Sequence, residues 1–494
     1  MKNRSCQKDK FAFSQQGVID TAVNSIFNRC NLPAGNSMKD VILVFDIGKT
    51  NKKVLLFNDK LKVEVEEEIK IQETVDEDGF PCDDIEKLEA WIDNMLEKFL
   101  THKAYRVKAV NFATYGATLM HLDKAKNRLT PVYNYLKPFP DDLAARFHEK
   151  YGGKEEFSRK TASPVLGMLN SGLQLLWLKN YRLNVFNKIA SSLHFPQYLA
   201  SRLTGAMVSE HTSIGCHTAM WDFDRMSYHP WLKDEGIQLP EPVSADTVFE
   251  ANFHGKKLKS GIGIHDSSAS LAPYILGSKE EFILLSTGTW CINMNPFNNT
   301  PLTAEQLEKD CLCFLSINEK PVKSSRVFLG HIHDVNLARL TRHFKLADDE
   351  YKKVVADTLI LSRLMKNPKP GTKFFNNGVP ENYVDESVDL SGFNDFTEAY
   401  HQLMIDLTRL VVSSINLILP VQDNSKIIFI SGGFAKNDLF TGLLASHFKD
   451  KEVYTSNIAN SSSLGAALVL YKQFGLKSSP KLDLDLRRVK KFNL

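Results

Sequence analysis

Cysteine is sparse in this sequence, and what there is does not pair. Cys6, Cys30, Cys82, Cys216, Cys291, Cys311 and Cys313 are seven in number, scattered, and include no C-x-x-C spacing. That argues against a disulfide framework and a structural zinc site, and fits a reducing cytoplasm. An excess of one charge is also missing. Lys and Arg total 61 against 58 Asp and Glu, a formal charge of +3, too balanced to mark nucleic acid or a membrane surface as the main partner. No apolar run reaches the roughly 18 to 20 residues of a membrane-spanning helix, and the first residues lack an apolar signal core. What is present is 494 residues, 43% of them apolar, enough for two or three domains and suited to a small soluble partner.

The most informative stretch is Val41-Ile-Leu-Val-Phe-Asp46-Ile-Gly48-Lys49-Thr50-Asn51-Lys52-Lys53-Val-Leu-Leu-Phe57. It reads as a strand ending in an acid, a polar turn with one glycine, and a second strand. Glycine lets backbone N–H groups approach phosphate oxygens, the hydroxyl and amide side chains add donors, and a strand-end carboxylate suits Mg2+. A Walker A loop is excluded, because Leu43 stands where its first glycine belongs and a strand follows where a helix is required. An ordinary edge hairpin with a solvated basic turn remains the plain alternative.

The same plan recurs. The first half has this hairpin and then the strand Ala109 to Ala113, running on to Thr114-Tyr115-Gly116; the second has Phe282 to Leu285, the turn Ser286-Thr-Gly288-Thr289, a strand Trp290 to Met294, and Ile427 to Ile430 ending in Ser431-Gly432-Gly433. Helical stretches lie between, at Ile85 to Leu100, Phe195 to Leu203 and Phe396 to Leu419, so the class is α/β. An approximate duplication predicts two lobes, each closing one turn on a shared nucleotide cleft. The boundary is expected near Gly277 to Glu281, giving lobes at 39–277 and 278–494 after an extension at 1–38. Lys366 to Pro380 reads as a loop, and the alternating Leu482 to Leu486 as a closing edge strand or a solvated end.

Three other segments offer chemistry. Gly261-Ile-Gly-Ile-His265-Asp266-Ser267-Ser delivers a carboxylate able to take a proton from a hydroxyl, although Asp before Ser-Ser is equally good helix-capping chemistry. Gly432, Gly433 and Asn437 would let a flat ligand such as adenine lie on backbone, or simply make a tight strand-to-helix turn. His331 and His333 alternate as two imidazoles on one strand face would, a thin case for zinc and a better one for a polar or substrate-facing loop. The small residues of Asn460 to Ala467 suggest close packing of a helix on a sheet.

Taken in order, these segments resemble the FGGY carbohydrate kinases, over about residues 40 to 475. The resemblance implies two actin-like, ribonuclease-H-like lobes with an interdomain ATP and sugar cleft. Within the family the chain is most similar to kinases of 6-deoxy ketohexoses, rhamnulokinases first and fuculokinases next. Thr114-Tyr-Gly-Ala-Thr-Leu-Met-His-Leu-Asp123 resembles the stretch in which an aromatic-glycine pair meets the sugar, His265-Asp266-Ser267 resembles His-Asp-Thr with its proton-accepting Asp, and Leu285-Ser-Thr-Gly-Thr-Trp290 resembles the Ser-Gly-Thr-Trp phosphate turn. By that likeness Gly48 to Lys53, with Gly288 and Thr289, hold the ATP phosphates. Asp46 helps hold Mg2+, Gly432, Gly433 and Asn437 form the adenine side, and Asp266 is the catalytic base. The expected activity is ATP-dependent phosphorylation of a primary hydroxyl of a ketose, L-rhamnulose first and L-fuculose, xylulose or ribulose as alternatives, by a monomer or homodimer. Val132-Tyr-Asn-Tyr-Leu-Lys137 departs from the family, standing where many members carry Trp or Tyr and then Asp and Arg. A non-catalytic ATP-binding sensor would lack the acceptor carboxylate or carry a DNA-binding module, and neither is seen.

Overall fold

The computed structural model describes residues 38–494 except 377 and 479; the proposed extension at 1–38 lies almost wholly outside them. Three strands, β1 (Lys39–Ile47), β2 (Lys52–Asn58) and β3 (Val63–Ile69), form an antiparallel meander. Val41 to Phe45 have no exposed surface, as an unbroken apolar run between two covered faces requires. Helix α1 (Ile85–Leu100) follows, opened by the Asp84 side chain on the Lys87 N–H and burying Ile85, Leu88, Ile92, Leu96 and Phe99 at helical spacing. Strand β4 (Tyr105–Thr114) then lies parallel to β1. After α2 (Phe195–Thr204), stopped by a left-handed Gly205, come β5 (Val248–Phe253), β6 (Lys256–Gly261) and the two-residue β7 (Ile264–His265), which joins β4. The sheet order is β5-β6-β4-β1-β2-β3, with β7 also on β4.

Helix α3 (Asp266–Gly277) leads to the second lobe. There β8 (Phe282–Thr287) and β9 (Cys291–Asn295) repeat the hairpin, and β10 (Cys311–Leu315) and β11 (Pro321–Val327) extend it. Helices α4 (Leu329–Phe344) and α5 (Phe396–Asn416) pack on the sheet before β12 (Ile427–Gly432), parallel to β8. The lobe continues through α6 (Asp438–His447), β13 (Glu452–Ser456), α7 (Ser461–Leu468) and β14 (Leu486–Arg488), which pairs antiparallel with β13. Its order is β10-β11-β9-β8-β12-β13-β14. In both lobes an antiparallel hairpin stands beside a parallel strand, the duplication read from the sequence. Of the two readings of the tail the edge strand holds, but at 486–488 and not over the alternating run 482–486, of which it shares only Leu486.

One helix crosses between the lobes. α7 sets Leu464, Ala466, Ala467 and Leu468 into a core with Ile42, Val44 and Ala113 of the first sheet and Ala269 of α3. The crossing is possible because Gly465 has no side chain: a Cβ there would lie 1.9 Å from the Ala269 carbonyl oxygen. The small residues of 460–467 therefore serve contact with both the sheet and α3, with Asn111 Nδ2 of β4 donating to the Ala466 carbonyl at 2.7 Å. One expectation is corrected here. His331 and His333 sit on α4, not on a strand or loop, so residues two apart point to different sides of a helix. Ring stacking on Phe328 occupies His331, while His333 is buried against Tyr400, and the pair cannot share a metal.

Candidate active site

The C-terminal ends of β1, β4, β7, β8 and β12 converge between the lobes. His265 pairs with Thr114, and Thr114 with Ile47, so three strand ends of the first lobe lie in register. α3 opens at the next residue, Asp266. The capping alternative fails, because His265 holds the cap position and no side chain makes a cap bond. Asp266 Oδ1 accepts the Ser267 hydroxyl at 3.2 Å and lies 3.2 Å from His265 Nε2. Burial, outweighing the Ser267 backbone and hydroxyl donors, raises its pKa to about 6. His265 is buried and its pKa falls to about 4 for the same reason, leaving a neutral ring at pH 7. Gly116 stands against that ring: a Cβ there would come within 3.1 Å of His265 Nε2. Thr114 is fully buried and turns its hydroxyl onto the Tyr115 carbonyl. A cavity of about 210 Å³ adjoins, walled by His265 and Ser267 from one lobe and Ser286, Ile292 and Arg326 from the other.

Asp46, at the end of β1, accepts the Ser463 hydroxyl of α7 at 2.5 Å. Its pKa also rises to about 6, chiefly through burial, with the Asp266 charge adding to it. Two carboxylates thus share the crevice. Asp46, half-buried, is a hard oxygen donor next to a phosphate-type turn, and Mg2+ binds through one or two carboxylates while keeping several waters; the residues fit that ion. Among the described residues no group of three or more His, Cys, Asp or Glu could hold a metal by protein ligands alone.

The first turn carries three lysines, each engaged differently. Lys49 Nζ bonds Asp83 Oδ2 at 2.6 Å and Glu73 Oε1 at 2.8 Å. Lys52, only 2% exposed, lies beneath the turn and donates to the Lys49 carbonyl at 2.8 Å. Lys53 pairs with Glu66 at 2.9 Å and donates to Asn460 at 3.0 Å. Gly48 closes the turn by donating its N–H to the Asn51 carbonyl at 3.0 Å, with Thr50 exposed at its tip.

In the second turn Gly288 donates to the Trp290 carbonyl at 2.9 Å, and Gly330 to the Thr289 carbonyl at 3.0 Å. A cavity of about 550 Å³ opens here, lined by Gly288, Thr289, Gly330, His333, Gly433 and Asn437 among others. Asn437 has both side-chain groups in use: Oδ1 accepts the Phe440 N–H as the cap of α6, and Nδ2 donates to Tyr400 at 3.0 Å. Gly432 faces away from this cavity and against Thr287. The sequence reading missed Gly330 and took His333 only as one of an alternating pair, although Leu329, Ile332, Asn336, Leu337 and Leu340 follow a helical period that would have brought both onto α4. It also missed Asp83, for which the sequence holds no signal.

A two-lobed α/β scaffold with one glycine-bearing turn per lobe and an uncapped carboxylate between them is that of a phosphotransferase acting on an alcohol group. Residues 41–252 match the FGGY family of carbohydrate kinases, N-terminal domain, and residues 279–478 the carbohydrate kinase FGGY, C-terminal domain. The chain belongs to that family. It is 23% identical over 444 residues to a rhamnulokinase of Oceanobacillus iheyensis, covering 83% of this chain and 88% of that one. With a rhamnulokinase of Yersinia pestis it shares 25% over 239 residues, 47% of this chain and 48% of the other. A carbohydrate kinase structure from Novosphingobium aromaticivorans superposes with a TM-score of 0.72 at 25% identity, over 92% of this chain and 97% of that one. A xylulose kinase from Lactobacillus acidophilus, at 17% identity and a TM-score of 0.68 over 91% and 93%, shares the fold. No helix among the described residues is long and apolar enough to cross a membrane.

Proposed function

We propose that this kinase transfers the γ-phosphoryl group of ATP to the 1-hydroxyl of a 6-deoxy-ketohexose, L-rhamnulose before L-fuculose, with xylulose and ribulose as the alternatives. The carrying observation is Asp266, a carboxylate at a helix start that caps nothing and lies between the lobes with its pKa raised to about 6. The matches to rhamnulokinases favour the deoxy-hexulose; the departure at Val132 to Lys137 keeps the pentuloses as alternatives.

In this reading Asp266 takes the hydroxyl proton as the oxygen attacks phosphorus, and His265, neutral and 3.2 Å away, orients its carboxylate. Gly48 and Gly288 close the two turns with their own N–H groups, and the backbone donors of Lys49 to Asn51 and of Thr289, with Lys49 and Lys53, take up charge on the phosphates. Gly433 and Asn437 shape the adenine side, with Gly432 packed behind them on Thr287 and outside their cavity, and Thr114, Tyr115, Gly116 and Ser267 the sugar side. Asp46 would hold Mg2+, which when bound neutralises phosphate charge. The lobes are assigned to 39–277 and 278–494, with α7 contributed by the second to the first. The enzyme acts in the cytoplasm as a monomer or homodimer.

Coupled ADP-release assays over a panel of ketoses test the substrate. L-rhamnulose should show the highest kcat/KM, and a pentulose in first place would reassign it. The pH profile tests the base. Because Asp266 must be ionised, kcat/KM should fall with a slope near one as pH drops through about 6. A flat profile from pH 5 to 7 would remove Asp266 from that role.

A further inference from the structure

Asp83 lies just before α1, is 6% exposed, and joins two parts of the site that the chain separates. Its Oδ2 accepts both Lys49 Nζ and the Tyr115 hydroxyl, each at 2.6 Å. Its Oδ1 lies 3.4 Å from Lys52 Nζ, and Lys52 in turn holds the Lys49 carbonyl. Lys49 belongs to the phosphate turn. Tyr115 belongs to the sugar side, where its ring packs on Phe195 and Tyr135 and its neighbour Gly116 touches His265.

Resting on the kinase reading above, we propose that Asp83 is a positioning residue that couples the nucleotide and sugar sites by dividing one carboxylate oxygen between Lys49 and Tyr115. The two donors compete for Oδ2, since a carboxylate oxygen bonds each more strongly when the other withdraws. A phosphate at the turn draws the Lys49 ammonium toward itself, and Asp83 then holds Tyr115 alone. That bond fixes the ring that backs Gly116 and faces Tyr135, the segment where this chain departs from its family. The exchange runs both ways: a tighter Tyr115 bond frees Lys49 for the phosphate. Lys52 keeps the carboxylate charged throughout, since it stays buried beneath both groups. Burial works against ionisation of Asp83, yet the Lys49 and Tyr115 hydrogen bonds hold its pKa below the ordinary carboxylate value.

The test is a double-mutant cycle read in Mg·ADP affinity by calorimetry, because Tyr115 is placed away from the nucleotide. Tyr115→Phe removes the competing donor, so Asp83 should grip Lys49 harder and Mg·ADP binding should weaken about fivefold. In an Asp83→Asn/Lys52→Met background, which removes the buried charge together with its partner so that the fold is kept, Tyr115→Phe should change nothing. Equal affinity in wild type and Tyr115→Phe, or the same loss in both backgrounds, overturns the proposal. A merely structural role for Asp83 would lower thermal stability without producing this difference between backgrounds. A wild-type chain that fails to bind Mg·ADP at all overturns the kinase reading, and this inference with it.

Discussion

Asp266→Asn should lower kcat by about 10³-fold while leaving ADP and sugar affinity near wild type. The substitution is isosteric. His265 Nε2, 3.2 Å from the carboxylate, meets an amide of the same shape, and no cap is lost because Asp266 makes none. What disappears is a proton acceptor; the positioning of the two turns survives and supports the residual rate. The same variant should be more stable. In the folded state the Asp266 pKa lies at about 6 against an ordinary 3.8, so the ionised carboxylate is disfavoured by folding. Below pH 4 the group is protonated in both states and costs nothing; as pH rises through 6 the penalty grows to its full size. With the side chain 31% exposed, solvent screening brings the roughly 3 kcal/mol of that shift down to about 1 to 2 kcal/mol. Urea unfolding at pH 8 should therefore favour Asp266→Asn by that amount, and the two proteins should converge at pH 4. An unchanged kcat would remove Asp266 from the reaction, and a variant less stable at pH 8 would show that its carboxylate serves the fold.

How much of this was readable in advance depends on the distance over which each feature is determined. The strands at Val41 and Phe282 and the helix at Ile85 to Leu100 were legible because continuous burial and a helical period are local properties. So was the duplication, since each hairpin carries its own turn. The His331 segment misled because two alternating imidazoles outweighed the apolar period running from Leu329 to Leu340 around them. Asp83 was invisible for a different reason. Its partners Lys49, Lys52 and Tyr115 stand 34, 31 and 32 residues away along the chain, and nothing local distinguishes a buried hub from its neighbour Asp84, which merely caps α1. The return of α7 to the first lobe was hidden likewise: small residues advertise a close contact but not with what.

The double glycine separates into two roles, which gives the second large effect. Gly432 has φ +86, and a Cβ on it would lie 1.8 Å from the Thr287 carbonyl oxygen, its partner in the parallel pairing of β8 and β12. Thr287 is itself committed, donating its hydroxyl to the Ser431 carbonyl at 2.5 Å and accepting the Phe434 N–H at 3.1 Å. Gly432→Ala therefore has to part the two strand ends that carry both the Gly288-Thr289 turn and the Gly433 corner. Strain at positive φ and overpacking together should cost about 3 kcal/mol or more, and Mg·ADP affinity should collapse with the displaced turn. Gly433 differs: nothing lies within 4 Å of a Cβ placed there, and it borders the 550 Å³ cavity. Gly433→Ala should leave stability within about 1 kcal/mol of wild type, the ordinary range for a substitution that meets no neighbour. If adenine lies on this corner, the added methyl should still weaken Mg·ADP binding about tenfold, since even 1.4 kcal/mol of steric cost reads as a factor of ten. Calorimetry and thermal unfolding of the two variants separate the cases. Unaltered ADP binding by a stable Gly433→Ala protein would place the base elsewhere in the cavity, on the side walled by Tyr351 and Val354.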